Sequence, residues 1–300
     1  MGLSLYKIRK WTNMICGNSV YHVNQGIGKC YSKDTVAGYY NDLTEKVTRF
    51  GFENDSVPIT TIDSGEKIYF PGAIFQYGLG AYDLYLINND ESSLRKMLNC
   101  ADWAVHNQQP DGGWDTFSFE NPEHPYSSMA QAEGISLLIR AHIQTNKEMY
   151  FDTAKKALHF MLTPIAEGGT TLYIGEDILL YEYTYEPLIL NGWIFSIWGL
   201  YDYCKYTEDS KIQHVLDTTI SSLKKKIPEF DMKYWSKYED GKRICSPFYH
   251  RLHIAQLSIM YDLFGDHIYK EYAEKWEKYL NNFWKPKRAF LKKAMQKILE

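Results

Sequence analysis

The chain lacks any apolar run of the length that a membrane-spanning helix needs, about 18 residues or more. Its first ten residues carry basic side chains, but neither an apolar core nor a small-residue cleavage site follows them. A secretion signal is therefore not predicted. These two absences favour a cytoplasmic protein.

Paired cysteines and an excess of positive charge are missing as well. The five cysteines are odd in number and widely spaced, and none forms a C-x-x-C pair. Neither a disulfide framework nor a zinc knuckle is indicated, and reduced thiols are expected. The formal net charge is −4, so the chain has no global basic field that would draw it to the phosphates of a nucleic acid.

Aromatic residues are abundant by contrast. The chain has 25 Tyr, 14 Phe and 8 Trp, together 16% of its 300 residues. Rings at this density often line sugar-binding clefts, where their faces stack on the sugar and phenols bond its hydroxyls. Most of them are expected to pack helices together, so only tyrosines within polar clusters are candidates for a site.

Helical periodicity begins after Pro71, where apolar residues recur at spacings of three and four. The predicted helices are 72–88, 92–108, 127–146, 149–163, 191–206, 209–227, 247–264, 267–283 and 286–299. Long connections, 109–126, 164–190 and 228–246, alternate with short ones. This alternation predicts a mainly α fold of antiparallel helical hairpins, with the long loops on one face.

Short β-like runs occur elsewhere. The runs 20–23, 57–62 and 67–70 predict a small irregular N-terminal region, so the chain divides into 1–70 and 71–300. The runs 170–174 and 178–183, separated by a Gly175 turn, predict a β-hairpin. The segment 108–114 is similar to the Q-x-x-x-G-x-W turns of α/α toroids, in which glycines allow a tight turn and the tryptophan, here Trp114, plugs between helices.

The densest polar cluster lies on a predicted packing helix, between Ser246 and Leu257. Tyr249 and His253 share one face of it, as do His250 and His253. This pattern allows a metal pair, a core network or a catalytic face. Spacing places no third ligand beside the H-x-x-H pair, so no metal is predicted. No other cofactor is predicted either.

Four blocks taken together resemble the C-terminal domain of the D-glucuronyl C5-epimerases. They are 112–114, 127–141, 181–202 and 249–257, and their order and spacing are also similar to the family's. The resemblance implies an (α/α) toroid with its site at one mouth. It also implies an isomerase that converts D-glucuronate to L-iduronate residues within a polysaccharide or lipid-linked glycan.

The resemblance assigns catalytic residues by position. Tyr249 precedes the H-x-x-H-I-x-Q-L pattern, and Tyr238 follows an aromatic–Asp pair at the family's distance. The family's Y-E-E-Y-P motif aligns with Glu182 and Tyr183. The chain departs from that motif at its Y-P junction, so three neighbours are rivals for the assignment: Tyr181, Tyr185 and Glu186.

The chemistry of C5 epimerisation explains these residue types without the resemblance. The C5 hydrogen of a uronate is α to a carboxylate, so its removal creates a dianion, and inversion needs a base on one face and a proton donor on the other. A tyrosine is a good donor, and it becomes a base when a cation or a donor depresses its pKa. Tyr249 and Tyr183 are given the opposed acid and base roles, Glu182 an orienting or proton-relay role, and Tyr238 a contact with the substrate.

Further residues are candidates for binding the substrate. Two histidines and two arginines close to the tyrosines could tune them or bind a uronate, and two residues of the second block could reach a polymer carboxylate or bridge helices instead. The full set is Arg251, His250, His253, Arg243, Gln131, Arg140, Tyr181, Tyr185 and Trp114. Asn191 and Gly192 are expected to serve the start of a helix and close packing.

Two other functions remain open at this point. A uronate lyase shares the first step, because the same carbanion can expel a leaving group at C4. A non-catalytic glycan-binding or assembly protein is the other, since only about 70 residues precede the first predicted helix, whereas the family carries substantial N-terminal β domains. The expected partner is a uronic-acid-containing polysaccharide or oligosaccharide. The basic tail 284–300 fits a solvated helix or a peripheral membrane contact, and a homodimer stays open.

Overall fold

A computed structural model describes residues 23–49, 56–62 and 64–299. Its helices are α1 Thr44–Thr48, α2 Pro71–Asn88, α3 Glu91–Asn107, α4 Ser128–Thr145, α5 Glu148–Leu162, α6 Leu190–Thr207, α7 Ser210–Lys226, α8 Pro247–Phe264, α9 His267–Leu280 and α10 Lys285–Leu299. Its strands are β1 Thr60–Thr61, β2 Lys67–Ile68, β3 Thr171–Ile174 and β4 Asp177–Leu180. The nine predicted helices are confirmed closely. The predicted strand 20–23 lies almost wholly outside the described residues.

The helices form two layers. Helices α2, α4, α6 and α8 are buried on most of their faces, whereas α3, α5, α7 and α9 carry one apolar stripe and one charged face. Each outer helix packs on the inner helix before it, and successive inner helices pack on one another. This arrangement is an (α/α) toroid, and it confirms the predicted fold class.

Short two-residue turns join the helices of each hairpin. Asn89 ends α2 in the left-handed conformation, and the carboxylate of Asp90 then accepts bonds from the backbone N–H groups of Ser92 and Ser93 at the start of α3. The turn at Glu208 and Asp209 repeats this pattern. Polar caps of this kind satisfy the free ends of both helices, so the chain can reverse within two residues.

The long loops lie at the other end of the hairpins. In the first, Gly112 has φ +99°, and a Cβ there would collide with the backbone oxygen of Lys156. The turn places Trp114 against Phe75, with its indole N–H donating to Ala104 O at 2.9 Å. Trp114 is 1% exposed, so its predicted role as a plug between helices is confirmed.

Two small sheets complete the fold. Strands β3 and β4 pair antiparallel with Ile174 opposite Asp177, which confirms the predicted hairpin around Gly175. Strands β1 and β2 pair antiparallel in the N-terminal region. Each sheet has only two strands, and the helices carry the core.

Residues 39–47 share the core of the toroid. Tyr39 and Tyr40 pack against Trp198 of α6, and Leu43 is fully buried beside α2. Short helix α1, which periodicity did not predict, packs on α2. The division of the chain at residue 70 stays a prediction.

The cysteines, the length and polarity of the helices, and the basic terminal helix bear on three further expectations. The four described cysteines, Cys30, Cys100, Cys204 and Cys245, are all free thiols. Within the described ranges, every helix is too short or too polar to cross a bilayer. The basic terminal helix α10 leaves Leu291 and Met295 exposed. Its contact with a membrane stays a prediction, as does a homodimer.

Candidate active site

A cavity of about 220 Å³ opens at the end of the toroid that carries the long loops. Residues of all three long loops line it, together with residues of the inner helices and of the N-terminal segment. This confirms that the long loops share one face. The cavity wall brings together the four residues assigned to catalysis: Glu182, Tyr183, Tyr238 and Tyr249.

Backbone hydrogen bonds hold Glu182 and Tyr183 against the start of α4. The preceding residue, Tyr181, donates its N–H to Thr170 O at 3.0 Å and accepts from the N–H of Ser128, also at 3.0 Å. Glu182 then lies directly over Gly192, where any Cβ would collide with its carboxylate. The glycine of the L-N-G block is thus required for close packing, as expected.

Tyr238 and Tyr249 form a second pair on the wall. The Tyr238 carbonyl accepts from the N–H of Leu190 at 3.2 Å, which ties the third long loop to the start of α6. Tyr249 lies in the first turn of α8, where Ser246 caps the helix and accepts its N–H. The two rings lie 4.8 Å apart at 60°, and a side-chain hydrogen bond joins Tyr249 to Tyr238.

The environment keeps the phenols protonated and raises the pKa of the glutamate. Burial raises the pKa of Glu182 to about 8, with Glu186 adding to the rise and Arg243 opposing it. Burial and the nearby Glu182 carboxylate raise the pKa of Tyr249, Tyr238 and Tyr183 well above 10. At neutral pH all three phenols are therefore protonated, whereas Glu182 titrates close to neutral pH.

Arg243 lies behind Tyr238, away from the residues that line the cavity. Its guanidinium is 5.7 Å from the centre of the Tyr238 ring and forms ion pairs with Glu186 and Glu239. Two carboxylates thus offset its charge. This geometry holds Tyr238 in place and lowers its pKa only in part.

His250 and His253 point into the core. His250 stacks on Trp235 at 3.6 Å, and its two ring nitrogens contact the backbone N–H of Ser236 and the carbonyl of Trp276. Burial lowers the pKa of both histidines to about 3, so both are neutral. In the described parts of the chain, no three His, Cys, Asp or Glu side chains cluster as a metal site would need. The pair therefore belongs to a core network.

Arg140 is a core residue and not a surface cation. It is fully buried on α4 and binds Asp202 of α6 at 2.6 Å. Three backbone carbonyls, those of Ala37, Gly38 and Ser136, accept its remaining N–H groups. Of its two predicted roles, the geometry supports the bridge between helices.

The other predicted binding residues also lie off the cavity wall. Gln131 is fully buried, with neither atom of its amide hydrogen-bonded, and Arg251 is exposed on α8. Tyr181 is half-buried behind Glu182, and Tyr185 packs edge-on against Tyr183 with ring centres 5.8 Å apart. Tyr185 therefore contacts a phenol of the cavity without lining it.

The sequence reasoning missed two charged residues of the wall. Glu133 of α4 is fully buried; one carboxylate oxygen accepts from Gln76 Nε2 at 2.7 Å, and the other has no partner. Burial raises its pKa to about 8. Lys46 comes from α1, and burial lowers its pKa to about 8. The signal for Glu133 was a lone acid within the apolar run 132–139; Lys46, on an unpredicted helix, offered none.

A second cleft, of about 290 Å³, adjoins the cavity, and Thr116 belongs to both linings. Its walls carry four aromatic residues: Tyr69, Trp103, Trp114 and Phe119. Tyr69 is 56% exposed and packs at 6.3 Å from Trp103. Tyr69 and Phe119 thus present ring surface to solvent beside the tyrosine cavity.

Two curated proteins are similar in sequence to this chain. The chain is 28% identical over 205 residues to D-glucuronyl C5-epimerase of Caenorhabditis elegans, covering 59% of this chain and 33% of that one. It is 28% identical over 171 residues to an uncharacterized protein of Methanocaldococcus jannaschii, covering 53% of this chain and 56% of that one. The chain therefore spans about a third to just over half of these relatives.

Among solved structures, an unsaturated glucuronyl hydrolase specific for heparin superposes with a TM-score of 0.50 at 13% identity, over 80% of this chain and 81% of that one. At this identity the likeness concerns the fold alone. The family described as D-glucuronyl C5-epimerase C-terminus matches residues 113–278, more than half of the chain. The match includes all four residues assigned to catalysis, and the chain belongs to this family.

Proposed function

We propose that the protein is a uronate C5-epimerase that converts D-glucuronate to L-iduronate residues within a polysaccharide or lipid-linked glycan. The observation that carries this proposal is the composition of the cavity: three protonated phenols surround a buried carboxyl group, Glu182, with a pKa of about 8. A base that titrates near neutral pH beside strong hydrogen-bond donors suits proton abstraction next to a carboxylate.

Glu182 is the proposed base. It takes the C5 proton, and the electrons of the broken C–H bond delocalise into the substrate carboxylate. The sequence reasoning gave this role to a tyrosine. Because burial and Glu182 itself raise the pKa of Tyr183, that phenol is a poor base. Tyr183 stacks on Phe117 at 4.2 Å and closes the wall instead.

Tyr249 is the proposed acid. It donates its proton to C5 on the opposite face, and the phenolate that remains accepts the hydrogen bond of Tyr238. This bond lowers the pKa of Tyr249 relative to an unassisted buried phenol, which makes Tyr249 the better donor of the pair. Proton exchange with water then returns Glu182 to the carboxylate and Tyr249 to the phenol.

The adjoining aromatic cleft supports a polymeric substrate. A sugar next to the reacting uronate can stack on Tyr69 and Trp103 while the uronate occupies the cavity. This binding outside the reacting residue contributes affinity and holds the C5 centre in place.

The test is incubation with uronate polymers, heparosan first, in deuterium oxide, followed by NMR. We expect deuterium at C5 and new iduronate signals without chain cleavage. Tyr249→Phe and Glu182→Gln should lose exchange, whereas Tyr173→Phe, on the exposed hairpin, should keep it. New ultraviolet absorbance from an unsaturated uronate would identify a lyase instead. Binding without any exchange would identify a glycan-binding protein.

A further inference from the structure

The cavity has an unusual balance of charge for a protein that handles an anionic sugar. Two buried carboxyl groups line it, Glu133 and Glu182. Among the described residues of its lining, Lys46 is the one cation. The substrate brings a further carboxylate, and the reaction adds a second negative charge to it, so a cation in contact with that group is needed.

Arg243 cannot fill this need from its observed position. It lies outside the lining, behind Tyr238, and Glu186 and Glu239 already share its guanidinium. Arg251 is exposed on α8 and Arg140 is buried against Asp202. The three arginines predicted from the sequence are thus all directed elsewhere.

We propose that Lys46 binds the carboxylate of the uronate in the cavity. This inference rests on the proposed function and adds the group that recognises the substrate's charge. An ammonium at this place stabilises the dianion formed at C5 more than the ground-state monoanion, because it faces twice the charge. Lys46 therefore contributes to both binding and turnover.

Glu133 holds Lys46 ready for the substrate. Its carboxylate acts on Lys46 across the cavity and raises the pKa that burial lowers. Gln76 fixes one Glu133 oxygen at 2.7 Å and leaves the other, fully buried, without a hydrogen bond. A substrate carboxylate that enters the cavity therefore meets the Lys46 ammonium beside Glu133 on the same wall.

Lys46 lies outside the region that matches the family. The family match begins at residue 113, whereas α1 spans Thr44–Thr48 and packs on α2. The short N-terminal segment therefore completes the site that the toroid begins.

The experiment measures the preference for a charged sugar at equilibrium. Calorimetry compares a heparosan tetrasaccharide with the same tetrasaccharide after its carboxyl groups are reduced to alcohols. The wild type should bind the acid form ~10- to 100-fold more tightly, as a charge-assisted hydrogen bond predicts. Lys46→Met should lose most of this preference, and Lys46→Arg should retain it.

Lys29→Met is the matched control, because Lys29 lies on the same segment but is exposed and paired with Asp42 at 3.0 Å. It should keep the wild-type preference. The proposal fails if Lys46→Met, shown to be folded by circular dichroism, keeps that preference, or if the wild type has none. If Lys46→Met does not fold, Lys46→Gln takes its place with the same expected loss. A wild type that prefers the acid form without C5 exchange, with that preference lost in Lys46→Met, supports Lys46 while refuting the epimerase.

Discussion

Two buried clusters of charge lie within the same toroid, and they differ in how well they are satisfied. In the core, Arg140 and Asp202 form an ion pair; Tyr40 donates a hydrogen bond to Asp202, and three backbone carbonyls accept from Arg140. At the cavity, Glu133 and Glu182 are buried with few partners, and burial raises the pKa of each to about 8. The first cluster fixes the fold, and the second is left reactive.

The contrast has a physical cause. A buried charge costs little once partners replace its water, whereas a poorly partnered carboxyl group avoids the cost by holding its proton. The core ion pair is therefore inert. The cavity cluster retains groups that exchange protons near neutral pH, as the proposed C5 epimerisation requires.

Arg140→Met should produce the largest effect, and it should fall on stability. Removing the cation leaves Asp202 buried and unpaired, so we expect a loss of about 3–5 kcal/mol in the free energy of unfolding. Urea denaturation measures this loss, and any C5 exchange per folded molecule should be retained. An exposed ion-pair variant, Lys155→Met, is the control and should change stability little. A small loss of stability in Arg140→Met would mean that the two clusters do not differ in this way.

Glu182→Gln should show the opposite pattern. Loss of the base should reduce the rate of C5 exchange by about 10²- to 10⁴-fold with no loss of stability. The control is Glu167→Gln, at an exposed glutamate far from the cavity lining, which should keep full activity. The wild-type kcat/KM should rise with pH and level off above about 8, following Glu182. A profile that kept rising beyond pH 10 would return the base role to a tyrosine.

The stability of the free protein should also depend on pH through these groups. The folded pKa of Glu133 and Glu182 is raised from 4.5 to about 8, so the folded state holds more protons between those values and these groups lower stability as pH rises. His250 and His253 act in the opposite sense between about 3 and 6.5. Net stability should therefore fall between pH 6.5 and 8.

Urea titrations across this range measure the fall. One titrating group contributes at most about 1.4 kcal/mol per pH unit. Glu182→Gln should reduce the slope, while Glu167→Gln should leave it unchanged. An unchanged slope in Glu182→Gln would mean that its carboxyl group is not buried as described.

The fold could be predicted from the sequence because amphipathic periodicity and polar turn residues recur along the whole toroid. The short helix α1 could not be, since five residues do not establish a period. The sequence blocks placed Tyr249 and Glu182 in one site, and both line the cavity, although the blocks gave the base role to a tyrosine. Lys46 comes from a distant segment, so only three-dimensional packing brings it to the cavity. The sequence left two roles open for Arg140, because burial against Asp202 leaves no trace in a local pattern.

Tyr69→Ala should produce the smallest effect, and it tests whether the aromatic cleft belongs to the substrate path. Tyr69 is 56% exposed, so the change should leave stability intact. Loss of one stacked ring should weaken the binding of long uronate oligosaccharides about fivefold, or about 1 kcal/mol. A disaccharide that fills only the cavity should bind as before, and Tyr173→Ala, on the hairpin, is the control. Equal weakening for short and long ligands would mean that Tyr69 acts by shaping the cavity, and the cleft would then have no part in holding the chain.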